Sequence, residues 1–193
     1  MKMAALVLGH SFVSRLQQYV EGPRGRGKQW LCGFPVRFAG FSGADIGRLW
    51  MQARRADLHS VLVVHIEIGC NDLSTLRPVD DVVHDIMSFV QWLLHERGVR
   101  RVVVGEILHR TDRARPMDVS LSSYNRRVEE ANRKLDVFCS RLNNVKFKRH
   151  SRLHGEDKIS MDGVHLRREV QKQLWKNIRG NLLSMLADIG YAH

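Results

Sequence analysis

Short apolar runs alternate along this chain with longer stretches in which apolar residues recur every three or four positions. Ala4 to Leu8 is the first short run and ends at Gly9. Phe12, Leu16 and Tyr19/Val20 then fall at helical spacing. Val36 to Ala39 is a second strand candidate, closed by a glycine-rich turn, and Ile46, Leu49 and Trp50 predict a helix after it. Val61 to Ile68 is Val, Leu and Ile, interrupted only by His65 and Glu67, as expected for a strand covered on both faces. Pro78, Asp80 and Asp81 open a helix whose apolar face is Val82, Ile86, Phe89, Val90 and Leu93, with Gly98 placed to end it. Arg101 to Leu108 reads as the next strand. Leu121, Tyr124, Val128, Ala131, Leu135, Phe138 and Leu142 form one apolar stripe of a long helix. Val145 to Lys148 alternates with period two, as an edge strand does. A final helix carries Leu166, Val170, Leu174, Ile178, Leu182 and Leu186 on one face.

Strands alternating with helices predict a parallel sheet between two helical layers, a three-layer α/β/α sandwich of about five parallel strands. Residues 1–193 read as a single domain, with no repeat or linker. Gly22 to Gly27 looks like a flexible loop.

Polar clusters that end the apolar runs, or stand in the last loop before the final helix, supply the chemistry. They are Gly9-His10-Ser11, Gly40-Phe41-Ser42-Gly43, Gly69-Cys70-Asn71-Asp72 and Asp162-Gly163-Val164-His165. Parallel strands gather such clusters at one edge of the sheet, where ligands of these folds bind. Serine needs a base to become a nucleophile and donors to hold the resulting oxyanion. Ser11 sits where strand gives way to helix, a place rich in free N–H groups, although serine there is also a common helix N-cap. Gly43 N–H and the Asn71 amide are further candidate donors, each with an ordinary role in turns. Asp162 and His165, three residues apart, suit an acid that orients an imidazole; Asp162 equally suits a cap for the last helix. Ser42 is the competing serine, ranked below Ser11 because Gly40-Phe41-Ser42-Gly43 is not G-x-S-x-G.

The chain holds 31 Lys and Arg against 20 Asp and Glu, a formal charge of +11. That excess keeps a protein soluble and also fits a polyanionic partner, nucleic acid or an anionic membrane surface. Three cysteines, Cys32, Cys70 and Cys139, make a poor disulfide framework. No apolar run is long enough to span a bilayer, and Ala4 to Leu8 is too short for a signal-peptide core, so the chain reads as intracellular and cytoplasmic. His150 and His154 share a helical spacing but find no third ligand with matching spacing, so neither a metal nor a cofactor is expected. There are no coiled-coil heptads, and the oligomeric state is left open.

A G-x-S near the N-terminus, a glycine turn, G-x-N-D and a D-x-x-H near the C-terminus, in that order, resemble the SGNH hydrolases, or GDSL-like esterases. The resemblance spans Gly9 to His165. It implies a flavodoxin-like sandwich and hydrolysis of carboxylic esters, short acyl (acetyl) or lipid-like, without a cofactor. Carried over, Ser11 is the nucleophile, His165 the base and Asp162 its orienting acid. Ser11 N–H, Gly43 N–H and the Asn71 amide form the oxyanion hole. At position 10 the family usually has Asp, and this chain has His10, which puts the local hydrogen bonding and pH dependence in question. The chain also looks like the esterase domain in the first-open-reading-frame protein of some animal non-LTR retrotransposons. That likeness implies a domain cut from a longer chain and acting near RNA or membranes in ribonucleoprotein particles. The alternative to an esterase is a weak or silent esterase scaffold that binds RNA or anionic membrane.

Overall fold

The computed structural model describes residues 4–23, 30–31, 34–114 and 117–191. Cys32 and the part of the glycine-rich loop from 24 to 27 lie outside the described residues. The elements in chain order are β1 (Ala5–Gly9), α1 (Ser11–Glu21), β2 (Trp30–Leu31), β3 (Phe34–Gly40), α2 (Ile46–Arg55), β4 (Val63–Glu67), α3 (Cys70–Leu73), α4 (Val79–His95), β5 (Arg101–Gly105), α5 (Leu121–Ser140), β6 (Val145–Lys148) and α6 (Gln171–Ala187).

One sheet carries the strand order β2-β3-β1-β4-β5-β6. The last five of these are parallel to one another, and β2 pairs antiparallel with β3. Taken alone, the five parallel strands have the 2-1-3-4-5 order of flavodoxin-like folds. Helices α1 and α6 pack together on one face, and α2, α4 and α5 on the other. The expected three-layer sandwich is therefore what the chain adopts. All residues of β1 and β4 are buried, because helices cover both faces. Gly40 lets α1 lie close on β3: a Cβ there would sit 2.2 Å from Ser14 N.

Two boundaries differ from the periodicity. The strand expected over 101–108 ends at Gly105. The final helix begins at Gln171, so Leu166 precedes it although it continues the apolar stripe. Leu166 instead makes an antiparallel bridge to Ile159, with Arg167 N donating to Lys158 O at 2.8 Å. The two-residue β2 and the four-residue α3 carry no periodic signal and were not expected.

His65 and Glu67, which interrupt the apolar run of β4, share one face of the strand and pair with each other. His65 Nε2 lies 2.6 Å from Glu67 Oε1, and His150 Nε2 approaches the same carboxylate at 3.0 Å. All three side chains are buried. Burial would raise the Glu67 pKa, but the two imidazoles outweigh it and hold the carboxyl below its usual range. Burial would lower His150, and Glu67 together with Glu106 reverses that, so its net shift is upward.

Removing one member of a buried charge pair leaves the other uncompensated, so Glu67→Gln should cost about 3 kcal/mol, lowering Tm by about 6–12 °C. The pH dependence follows from the signs. His150 contributes stability that is full below its ordinary 6.5 and lost as pH rises through its raised folded value. Glu67 contributes above its ordinary 4.5 and loses that only in strong acid. The Tm gap between wild type and Glu67→Gln should therefore narrow from pH 6 to pH 9 in a thermal melt series; a gap that widens would refute the pairing.

Candidate active site

Ser11 is delivered by the end of β1, near the middle of the sheet. It is the first residue of α1, not its cap. The N-cap is His10, whose Nδ1 accepts from Phe12 N–H at 3.3 Å. An imidazole can accept there only when neutral. Burial ensures this by pushing the His10 pKa down to about 4. With Nδ1 accepting, the proton sits on Nε2, which points at Cys70 Sγ, 3.2 Å away. His10 thus makes the capping bond that a carboxylate at this position would make.

Asp162 and His165 sit in a tight hairpin between Ile159 and Leu166, closed by Ser160 N donating to His165 O at 2.7 Å. Asp162 does not cap α6, whose N-cap is Val170 with no side-chain bond. Its Oδ1 accepts from Ser160 Oγ at 2.7 Å and from the backbone N–H groups of Val164 and His165 at 3.0 and 2.9 Å. Its Oδ2 accepts from His165 Nδ1 at 2.8 Å and from Arg15 at 3.3 Å. Partial burial would raise the carboxyl pKa, but these donors hold it well below its usual range. His165 Nε2 then lies 2.7 Å from Ser11 Oγ, across 154 positions of sequence. Burial, reinforced by the charges of Arg15 and Arg110, lowers the His165 pKa against the raising effect of Asp162. Serine, neutral imidazole and ionised carboxylate thus form a hydrogen-bonded line.

Gly43 and Asn71 flank Ser11 from the loops after β3 and β4. Gly43 has φ +71°, with no atom within 4 Å of where a Cβ would be. Phe41 N donates to Gly9 O at 2.8 Å and ties this loop to β1. Asn71 Nδ2 donates one proton to Ala44 O at 2.9 Å. Buried Asp72 receives Ile46 N at 3.2 Å and Arg77 at 3.0 Å, so both loops are fastened together. Among the described residues, neither Ser11 N–H nor Gly43 N–H is spent on another acceptor, nor is the second Asn71 Nδ2 proton. Unspent donors beside a hydrogen-bonded serine are what an oxyanion requires.

All five expected site residues are thus placed at one edge. Ser42 is exposed, and His165 turns to Ser11 instead. Sequence reasoning missed His10 as the cap, Asp72 as the fastener, and Arg15 and Arg110 as neighbouring charges. The only available signal was that all four lie within or shortly after the polar clusters and strand ends. A groove of about 740 Å³ descends beside the site, lined by Ser14, Arg15, Gln18, Tyr19, Ser42 and Arg168 among others.

The spacing of His150 and His154 does not mark a helix, because residues 150–154 form a turn and a connecting segment. Among the described residues the one group able to converge on a metal is His65, Glu67 and His150. Metal-bound histidines normally hand their second nitrogen to an acceptor. Here both Nδ1 atoms are buried without a partner. The trio fits an internally hydrogen-bonded charge cluster better than a metal centre.

No family model and no curated protein matches this sequence. Its fold, however, is found among solved structures. A GDSL-like lipase from Bacteroides thetaiotaomicron superposes with a TM-score of 0.73 at 15% identity, covering 94% of this chain and 88% of the lipase. A carbohydrate acetylesterase from Sinorhizobium meliloti gives 0.71 at 16%, covering 95% and 100%. A carbohydrate esterase of family 3 from Talaromyces cellulolyticus gives 0.64 at 17%, covering 96% and 99%. With the strand order, these likenesses show that the chain has the three-layer fold of the GDSL-like, or SGNH, esterases.

Proposed function

We propose that this chain is a serine esterase that hydrolyses short-acyl, chiefly acetyl, esters of a polar alcohol. The observation that carries the reading is the line from Ser11 Oγ through His165 to Asp162. Ser11 Oγ attacks the acyl carbon as its proton passes to His165 Nε2, and Asp162 steadies the imidazolium. The oxyanion takes hydrogen bonds from Ser11 N–H, Gly43 N–H and the Asn71 amide. The tetrahedral intermediate collapses and expels the alcohol, which takes the proton back from Nε2. Water, activated by the same imidazole, then releases the acid. Every step uses groups of the chain itself.

The groove beside the site offers a polar alcohol the hydroxyl, amide and guanidinium groups of Ser14, Ser42, Gln18, Arg15 and Arg168, alongside apolar surface from Pro23 and Leu166. The carbohydrate acetylesterase from Sinorhizobium meliloti, which shares the fold, supports the acetyl group. His10 supports activity, since it keeps α1 capped in the absence of Asp. The formal charge of +11 favours a second, compatible reading, in which the basic surface binds RNA or anionic membrane.

Two measurements test the esterase. Wild type should hydrolyse p-nitrophenyl acetate faster than butyrate, and butyrate faster than octanoate. Ser11→Ala should lose about 10⁴-fold or more in kcat while its Tm stays within about 2 °C. Equal turnover by the variant sinks the assignment. No turnover by either protein moves the weight to the binding reading, which requires RNA or anionic-vesicle binding that weakens steeply with salt. The second measurement is the pH profile. The base must be neutral, and its pKa is lowered, so kcat/KM should climb along an acid limb centred below 6.5. A limb centred above 6.5 would contradict this environment for His165.

A further inference from the structure

The loop between β5 and α5 carries a buried cation that the chemistry above does not use. Arg110 is 7% exposed, and no carboxylate lies within 4.0 Å of it among the described residues. Burying an ion without a counter-ion is costly unless hydrogen bonds replace its water. One terminal nitrogen makes two such bonds, to Cys70 O and to Asn71 Oδ1, both at 3.2 Å. Its Nε is buried with no partner. The N-terminal part of α5 holds the residue in place. Asn125 Oδ1 accepts from Arg110 N at 3.0 Å, and Asn125 Nδ2 donates to Arg110 O at 3.1 Å. The Tyr124 ring lies 4.7 Å from the guanidinium, an attractive cation–π arrangement.

A carboxamide has two nearly isosteric orientations. Three contacts agree on one of them for Asn71. Its Oδ1 receives the Arg110 guanidinium and the Cys70 thiol proton, at 3.2 and 3.7 Å, and its Nδ2 faces Ala44 O. Burial pushes the Cys70 pKa up to about 11, so the thiol keeps the proton it donates. A flip would set N–H against guanidinium and oxygen against a carbonyl.

We propose that Arg110 is the positioning residue of the oxyanion hole: it fixes Asn71 Oδ1 so that the free Nδ2 proton faces the reacting carbonyl, and its unmatched charge keeps that hole electropositive. This rests on the esterase reading. The charge reaches the base as well, since Arg110 is among the groups that disfavour protonation of His165. Among the described residues, the other titratable or charged groups facing His165 are Asp162 from its own hairpin, Arg15 from α1 and His10 just before that helix.

The test compares wild type, Arg110→Met, Asn71→Ala and the double variant on p-nitrophenyl acetate. Arg110→Met should lose about 10- to 100-fold in kcat, somewhat less than deletion of an oxyanion donor, with KM changed less than about threefold. The double variant should fall no more than about threefold below Asn71→Ala, because the two residues act as one unit. The acid limb of Arg110→Met should move to higher pH, and Arg110→Lys should restore the limb but only part of kcat. Losses that multiply in the double variant, or a kcat for Arg110→Met within threefold of wild type, overturn the proposal. If wild type itself is inactive, the esterase reading fails first, and Arg110 is judged by NMR. Displaced Asn71 side-chain amide resonances and a higher His165 pKa in Arg110→Met support positioning; unchanged values refute it. If Arg110→Met does not fold, Arg110→Lys carries the NMR comparison, since a single ammonium cannot reproduce both bonds in the guanidinium geometry.

Discussion

The constraint on which everything else rests is that five parallel strands end at one edge of one sheet. The chain leaves β1, crosses to β3 on one side, and then returns past β1 to β4 on the other. A crevice opens where the direction of winding reverses. Ser11 stands at the end of β1, with the β3 loop bringing Gly43 on one flank and the β4 loop bringing Asn71 on the other. No local preference could collect these groups. The register Gly9↔Gly40 and Gly9↔Glu67 aligns the three strand ends, and the bonds Phe41 N to Gly9 O and Asn71 Nδ2 to Ala44 O fasten their loops.

That edge is also why so much of the site was legible in the sequence. Ser11, Gly43, Asn71, Asp162 and His165 stand in polar clusters, and all but the last two follow directly from apolar runs. A reader who recognises strands can therefore find their ends. Roles that depend on which atom a side chain turns toward were not legible. His10 could be understood only once its burial, and hence its neutral tautomer, was known. Arg110 was one of 31 basic residues until its burial, with no counter-ion among the described residues, distinguished it. Leu166 misled because helical periodicity records which face is buried, not which way the backbone bonds. Its bridge to Ile159 closes the hairpin that presents Asp162 and His165, so the residue that blurred the helix start helps to build the site.

The polar groups buried beneath the site divide into two kinds. Glu67 is matched by His65 and His150, and Glu106 by Arg149 and His154 together with the backbone N–H of His150. These carboxylates are matched in charge, although the Nδ1 atoms of His65 and His150 stay without a partner among the described residues, and the pairs hold β4, β5 and the segment after β6 together. Arg110 is of the other kind. Its hydrogen bonds are neutral ones, to an amide and a main-chain carbonyl, so its charge remains unbalanced. In a low-dielectric interior such a charge acts over several ångströms.

His10 and Arg110 are best understood together. A carboxylate at position 10 would cap α1 equally well, but it would also place a negative charge within the field of Arg110. That charge would favour protonation of His165 and oppose negative charge growing on a substrate oxygen. The neutral imidazole keeps the capping bond and adds none of this opposition. It also donates from Nε2 to Cys70, whose thiol proton in turn points at Asn71 Oδ1. The residue that departs from the family pattern is thereby joined, through one thiol, to the same amide that Arg110 holds. Helix cap, Asn71 amide and buried cation form one connected set of hydrogen bonds, and a change at position 10 acts on the set as a whole.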